Sequence, residues 1–223
     1  MIESAAPVVY CLVRIRSEKD GMRKYSVTIA REYGSGGRII GRRLAEELGI
    51  AFYDRELIAA AARETGLAED YVQEIEQGKT AGFLYSSYIF IVGRELPVPE
   101  QVFIAQSGVI RDIAERESCV LIGRCADYVL RDSKNCARIF IHAPFDWRVS
   151  FARSEYRESE KNLEEYVRRQ DKNRASYYDF FTHKKWGRAR NYDICIDSSI
   201  GIPASVAVLR KFVEEFKLAR GDD

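Results

Sequence analysis

A chain of 223 residues, 46% hydrophobic and 31% charged, can bury a substantial core as one large domain or two small ones. Its formal net charge of +1 offers no overall attraction to nucleic acid or to an anionic membrane. The apolar run at residues 8–13 (VVYCLV) is far too short to span a bilayer, and without a basic segment before it or a small-residue cleavage site after it, it does not read as a signal peptide. Cys11, Cys119, Cys125, Cys136 and Cys195 form no CxxC pair, which points to reduced, mostly buried thiols in a cytoplasmic protein rather than to disulfides or zinc.

In chain order, residues 1–22 form an N-terminal extension, an added edge strand or a dimer arm. The first strand is predicted at residues 26–30 (SVTIA), followed by the loop REYGSGGRIIGRR at 31–43 and a helix marked by Ile40, Leu44 and Leu48. A second strand at 50–54 (IAFYD) leads into a helix marked by Leu57 and Ala61. Residues 68–106 hold a helical piece and an aromatic stretch at 80–101, and read as an insertion on the acceptor side of the site. A helix marked by Val109, Ile110 and Ile113 precedes strands at 119–123 (CVLIG) and 138–142 (RIFIH). Residues 148–190 are long, basic and helical, and read as a lid region. The last strand is predicted at 192–197 (YDICID), and the helix at 203–216 opens on a proline and aligns Val206, Leu209, Val213 and Phe216.

Short, nearly continuous apolar strands alternating with helices predict an α/β fold with three layers, α/β/α, around a central parallel five-stranded sheet. Residues 23–218 form the single domain and 219–223 a tail. Ligands of such sheets bind beyond the carboxyl ends of the strands, so the loops after Ala30, Asp54, Gly123, His142 and Asp197 share one functional rim.

The loop at 31–43 carries glycines between a strand and a helix, the arrangement in which backbone N–H groups and a helix N-terminus bind phosphate. It is a poor literal match to GxxxxGK[ST], with Gly37 for the lysine and Arg38 for the Ser/Thr. A tight turn without ligand is the alternative. Against it, Arg38 places a cation at a helix N-terminus, which is unfavourable unless an anion offsets it, and Arg31 flanks the same loop. Gly34, Ser35, Gly36, Gly37 and Arg38, with Arg31, are therefore the candidate phosphate cradle. The Gly-Lys-Thr at 78–80 follows a helical segment instead of a strand and reads as a decoy.

Elsewhere on the rim, Arg124 follows Gly123, and Asp127 lies three residues on, able to pair with it or to contact a nucleoside. The run RRQDKNR at 168–174 is either a solvated face or a basic flap that surrounds a migrating phosphoryl group with cations. The basic and aromatic mixture at 183–192 (HKKWGRARNY) raises nucleic-acid binding, but the near-zero net charge and the lack of RNP, KH or dsRBD patterns argue against it. His142 and His183 have no nucleophile arrangement nearby.

Across residues 25–216 the chain resembles the cytidylate-kinase-like proteins, a branch near the nucleoside-monophosphate kinases of the P-loop NTPase class. The resemblance is carried by residues 29–58, by CVLIGRCADYVL at 119–130, by DKNRASYY at 171–178 and by NYDICIDSS at 191–199. It implies phosphoryl transfer from ATP with Mg²⁺, between a small-molecule nucleotide donor and an acceptor such as CMP. Gly123 and Arg124 match a substrate-binding Gly-Arg-Asp whose carboxylate is here Cys125, unless Asp127 replaces it. Asp171, Lys172, Asn173 and Arg174 are similar to a lid motif, which implies ribose and phosphate contacts for Asp171 and Arg174. Asp54 is kept after the second strand, with Arg55 beside it.

These readings combine into the expectation of a phosphotransferase. Arg38, Arg124, Arg168, Lys172 and Arg174 supply catalytic charge, and Asp54, Arg55, Arg124, Asp127, Asp171 and Arg174 bind substrate. No dedicated metal ligand is assigned. The competing expectation is a nucleotide-binding module without turnover, a sensor or partner-binding protein, motivated by the missing lysine and hydroxyl. A homodimer is compatible with the sequence; a membrane protein is not expected.

Overall fold

The apolar runs become the strands of one sheet in the computed structural model, which describes residues 24–76 and 97–220. The readings placed on residues 1–22, on Cys11, on the triplet at 78–80 and on most of the aromatic stretch that includes Arg94 lie outside the described residues. The strands are β1 (Ser26–Arg31), β2 (Ala51–Tyr53), β3 (Cys119–Ile122), β4 (Cys136–His142) and β5 (Ile194–Asp197). They form a five-stranded sheet in the order β2-β3-β1-β4-β5, and every pairing is parallel. The glycine loop leaves β1, the middle strand, so it emerges at the centre of the rim.

The helices are α1 (Gly37–Leu48), α2 (Arg55–Thr65), α3 (Glu69–Glu76), α4 (Val98–Arg116), α5 (Ala126–Val129), α6 (Phe145–Ser154), α7 (Leu163–Thr182) and α8 (Ile202–Arg220). Alternate strand residues divide between two layers, as a sheet covered on both faces requires. Val27, Ile29, Val120, Ile122, Ile139 and Ile141 pack under α1 and α8, against Ile40, Leu44, Leu209 and Val213. Cys119, Leu121 and Cys136 face the other way, toward Leu57 of α2 and Ile110 and Ile113 of α4. A side chain on either face is removed from water, worth about 25 cal/mol per Å² of apolar surface.

The strand ends differ from the sequence expectation by one or two residues. Gly123 leaves β3 because its φ of 70° turns the chain. Tyr192 precedes β5 because its N–H closes a 3-10 turn on the Ala189 carbonyl at 3.0 Å. β4 begins at Cys136, two residues early, where its register with Ser26 holds. Among the described residues no helix is long and apolar enough to cross a membrane.

Candidate active site

The loop between β1 and α1 is pinned from beneath and from the side. Gly34 and Gly36 take φ of 78° and 70°, a left-handed conformation open to glycine at little cost. A side chain on Gly34 would also collide with the Arg148 carbonyl of α6. Ser35 is fully buried and its hydroxyl donates to the Glu32 carbonyl at 2.9 Å. The Ser198 hydroxyl, just past β5, donates to the Ser35 carbonyl at 2.7 Å. The Asp171 carboxylate, from α7, accepts from the Tyr33 N–H at 2.6 Å and pairs with Arg148 at 2.5 Å. Arg148 in turn donates to the carbonyls of Tyr33 and Ala143 and pairs with Glu32 at 3.2 Å. Together these contacts leave the loop little freedom. The opening N–H groups of α1 follow directly, and no side chain of its N-cap residue, Gly36, covers them.

Arg31 explains why the lysine position is glycine. Its side chain folds from the end of β1 across Gly37, where an added methyl group would lie 2.7 Å from the Arg31 Cβ, and its guanidinium reaches Gly123. The space that a residue-37 side chain would occupy is filled by an arginine from residue 31. Arg174 donates to the Arg31 carbonyl at 3.2 Å and stands over the Tyr33 ring at 5.3 Å. Burial first, then the charges of Arg174 and Arg124, push the Arg31 guanidinium well down from its ordinary value. Arg174 is lowered as well, chiefly by burial. Positive charge is thus crowded at the loop, with Arg31 and Arg174 both held below their ordinary values.

Asp54 is the shared counter-ion. Its two oxygens lie 2.5 Å from Arg38 Nε and 2.9 Å from Arg124 Nη1. Burial alone would raise its carboxyl, but Arg124, Arg31 and Arg38 outweigh burial and hold it below the usual range. Arg124 is aimed by a turn in which Gly123, Arg124 and Cys125 all have left-handed φ, of 70°, 51° and 54°. For the two non-glycine residues this costs about 1 kcal/mol each, strain of the kind found at functional sites.

These side chains line a cleft of about 540 Å³ at the carboxyl rim. Arg31, Gly34, Arg38, Asp54, Arg55, Arg124, Asp127 and Arg174 all border it, so the fold brings together most of the residues singled out by sequence. Asp127 is buried, accepts from the Tyr178 hydroxyl at 2.7 Å, and has its carboxyl raised by burial. Arg168 and Lys172 are not brought to the cleft: the Arg168 guanidinium sits 3.8 Å above the Phe145 ring centre, and Lys172 is exposed on α7. Asp171 is a neighbour of the cleft whose oxygens are taken by Tyr33 N–H and Arg148.

Sequence reasoning missed Arg148, Glu32, Tyr33 and Tyr156. Arg148 did leave a signal, since it falls on the Phe145, Val149, Ala152 stripe of α6 that packs inward. Tyr156 left none, because it lies in the irregular segment between α6 and α7, where no periodicity operates.

A parallel sheet in this strand order, with a glycine loop and helix N-terminus at its centre and arginines converging over them, defines the P-loop kinase fold. Solved structures agree: a shikimate kinase from Bacteroides thetaiotaomicron aligns with TM-score 0.52 and 13% identity over 85% of this chain and 98% of its own. A gluconokinase from Sinorhizobium meliloti aligns with TM-score 0.50 and 14% identity over 86% and 98%. An uncharacterized protein from Eubacterium ventriosum is more similar, with TM-score 0.63 and 25% identity over 86% and 99%. No curated protein matches the chain. The model of the cytidylate kinase-like family matches residues 26–200, and the chain belongs to that family.

Proposed function

We propose that the protein is an ATP-dependent kinase that passes a phosphoryl group to a nucleoside monophosphate such as CMP, or to another small acceptor. The observation that carries this reading is the convergence of Arg31, Arg38, Arg124 and Arg174 on the start of α1, with Asp54 committed to two of them. The N–H groups from Gly34 to Arg38 would hold the donor phosphates. Arg31 would serve from the space that a loop lysine fills in other P-loop proteins. Arg124 and Arg174 would neutralise the oxygens of the transferring group, where negative charge spreads in the transition state.

On the acceptor side, Arg55 and Asp127 border the cleft beside Tyr177, Tyr178 and Trp186, whose rings suit a planar base. An acceptor oxygen forms the new bond to the γ-phosphorus as the bond to the ADP oxygen breaks; no covalent enzyme intermediate is needed, and positioning does the catalysis. The phosphate cradle fits ATP. A dedicated magnesium cage does not fit: the described residues hold no cluster of three metal-ligating side chains, and the Ser35 hydroxyl is turned to Glu32. Magnesium in this reading is carried by the nucleotide phosphates and water, its usual habit, and no step is assigned to it.

The test is ADP release from Mg-ATP across ribo- and deoxynucleoside monophosphates, for wild type, Arg38→Ala and Arg174→Ala. Stimulation by one acceptor that falls at least tenfold in both variants is expected. ATP binding with no stimulation by any acceptor would favour the module that binds without turnover.

A further inference from the structure

In P-loop proteins a Ser or Thr hydroxyl at the head of the loop helix holds a magnesium ion that bridges the nucleotide phosphates. Residue 38 stands in that place here and is an arginine, the second residue of α1. Its Nε lies 2.5 Å from one oxygen of Asp54, the N-cap residue of α2. The other Asp54 oxygen lies 2.9 Å from Arg124 Nη1. A carboxylate on which an ion could sit is thus held, almost wholly buried, between two guanidiniums.

No neighbouring group makes good the loss of the hydroxyl. Ser35, the serine of the loop, is fully buried and donates to the Glu32 carbonyl at 2.9 Å. The other carboxylates that border the cleft are each engaged by the protein. Glu32 accepts from the Ala143 N–H at 3.2 Å, Glu158 from the Tyr33 hydroxyl at 2.5 Å, and Asp127 from the Tyr178 hydroxyl at 2.7 Å. A divalent ion at Asp54 would stand beside Arg38 and Arg124, with like charge on both sides of it. Magnesium also demands octahedral oxygen ligands and gives up its waters reluctantly.

Arg38 is itself placed to do the work of such an ion. Its side chain is 42% exposed and borders the cleft. One carboxylate, shared with Arg124, does not exhaust the five N–H donors of a guanidinium. The first turn of α1 holds no acidic residue, so a cation there opposes the helix dipole until an anion joins it.

We infer that Arg38 replaces the protein-held magnesium ion, and that the cleft binds a metal-free polyphosphate, free ATP, in preference to its magnesium complex. The inference rests on the reading of the loop as a phosphate site. Chelation by a divalent ion cancels part of the phosphate charge on which Arg31, Arg38, Arg124 and Arg174 converge. Mg-ATP still fits, its ion held by phosphates and water, but it gains no ligand from the protein. Asp54 in this arrangement is a positioning residue, which holds the Arg38 guanidinium at the head of α1.

The experiment is calorimetric titration of ATP into wild type, Arg38→Ser and Arg38→Lys, in EDTA and in saturating magnesium at one ionic strength. Wild type should bind free ATP about tenfold more tightly than Mg-ATP. Arg38→Ser restores the hydroxyl and releases one oxygen of Asp54, so magnesium should now raise its affinity. Arg38→Lys keeps the charge and should keep the wild-type preference, with weaker binding because the planar fork is lost. Equal or tighter binding of Mg-ATP by wild type overturns the inference and leaves the phosphate site standing. An Arg38→Ser protein that keeps the wild-type preference, or an Arg38→Lys protein that reverses it, overturns it too. If wild type binds ATP in neither condition, the phosphate-site reading itself falls, and the inference with it.

Discussion

Asp54 shows how much of the site's energy hangs on one carboxylate. It is almost wholly buried, yet Arg124 and Arg38 more than offset the burial cost, and its carboxyl lies below the usual range. The sign follows: a lowered folded value means a stabilising contribution that is complete above the unfolded pKa of about 4 and lost as pH falls through the folded one. Asp54→Asn removes the carboxylate charge that pairs with Arg38 and Arg124. A cost of about 2 kcal/mol is expected, below the roughly 3–5 kcal/mol of a broken, fully buried pair because Arg38 is 42% exposed. Urea unfolding at neutral pH measures it. The same variant should recover most of that loss in saturating pyrophosphate, since the anion then replaces the carboxylate. A loss that pyrophosphate does not reduce would show that the arginines do not share one anion seat.

At the scale of elements, the β1–α1 junction and the turn after β3 are one construction. Arg31 from β1 lies over Gly37 of α1 and against Gly123 of the turn, so three segments are cut to fit one side chain. This predicts a coupling that sequence comparison alone would miss. Restoring a loop lysine with Gly37→Lys should lower pyrophosphate affinity about tenfold, because the new Cβ meets the Arg31 Cβ at 2.7 Å. Arg31→Gly, which removes the Cβ as well as the guanidinium, should also weaken binding. The double variant should bind better than either single one, because lysine then has the vacated space; strictly additive losses in a double-mutant cycle would refute the exchange.

At the scale of the whole molecule, the two-faced sheet decides which groups solvent can reach. Cys119 and Cys136 lie on the face toward α2 and α4, fully buried, and burial pushes each thiol up to about 12. Cys195 sits on β5 at the sheet edge and is exposed. Maleimide labelling of the native protein at neutral pH should therefore modify Cys195 well before Cys119 or Cys136, which should label only with unfolding. Early labelling of Cys136 with peptide mapping by mass spectrometry would mean that β4 opens locally.

The sequence by itself determined the layered architecture, because continuous apolar runs and 3.6-residue stripes are local patterns that survive in one dimension. It placed all five strands within two residues, and it marked Arg31, Arg38, Asp54 and Arg124 because their charges stand at or just past strand ends, where a parallel sheet assembles its ligands. It could not sort the basic run of α7, since Arg168, Lys172 and Arg174 look alike until the helix is docked: one covers Phe145, one faces solvent and one enters the cleft. Nor could it reveal that Gly37 yields its space to a side chain six residues earlier, that Arg148 and Asp171 clamp the loop from two helices, or that Tyr156 borders the cleft against Tyr33. Those relations join residues from separate elements through packing and charge. They exist only once the chain is folded, and tertiary structure alone decided them.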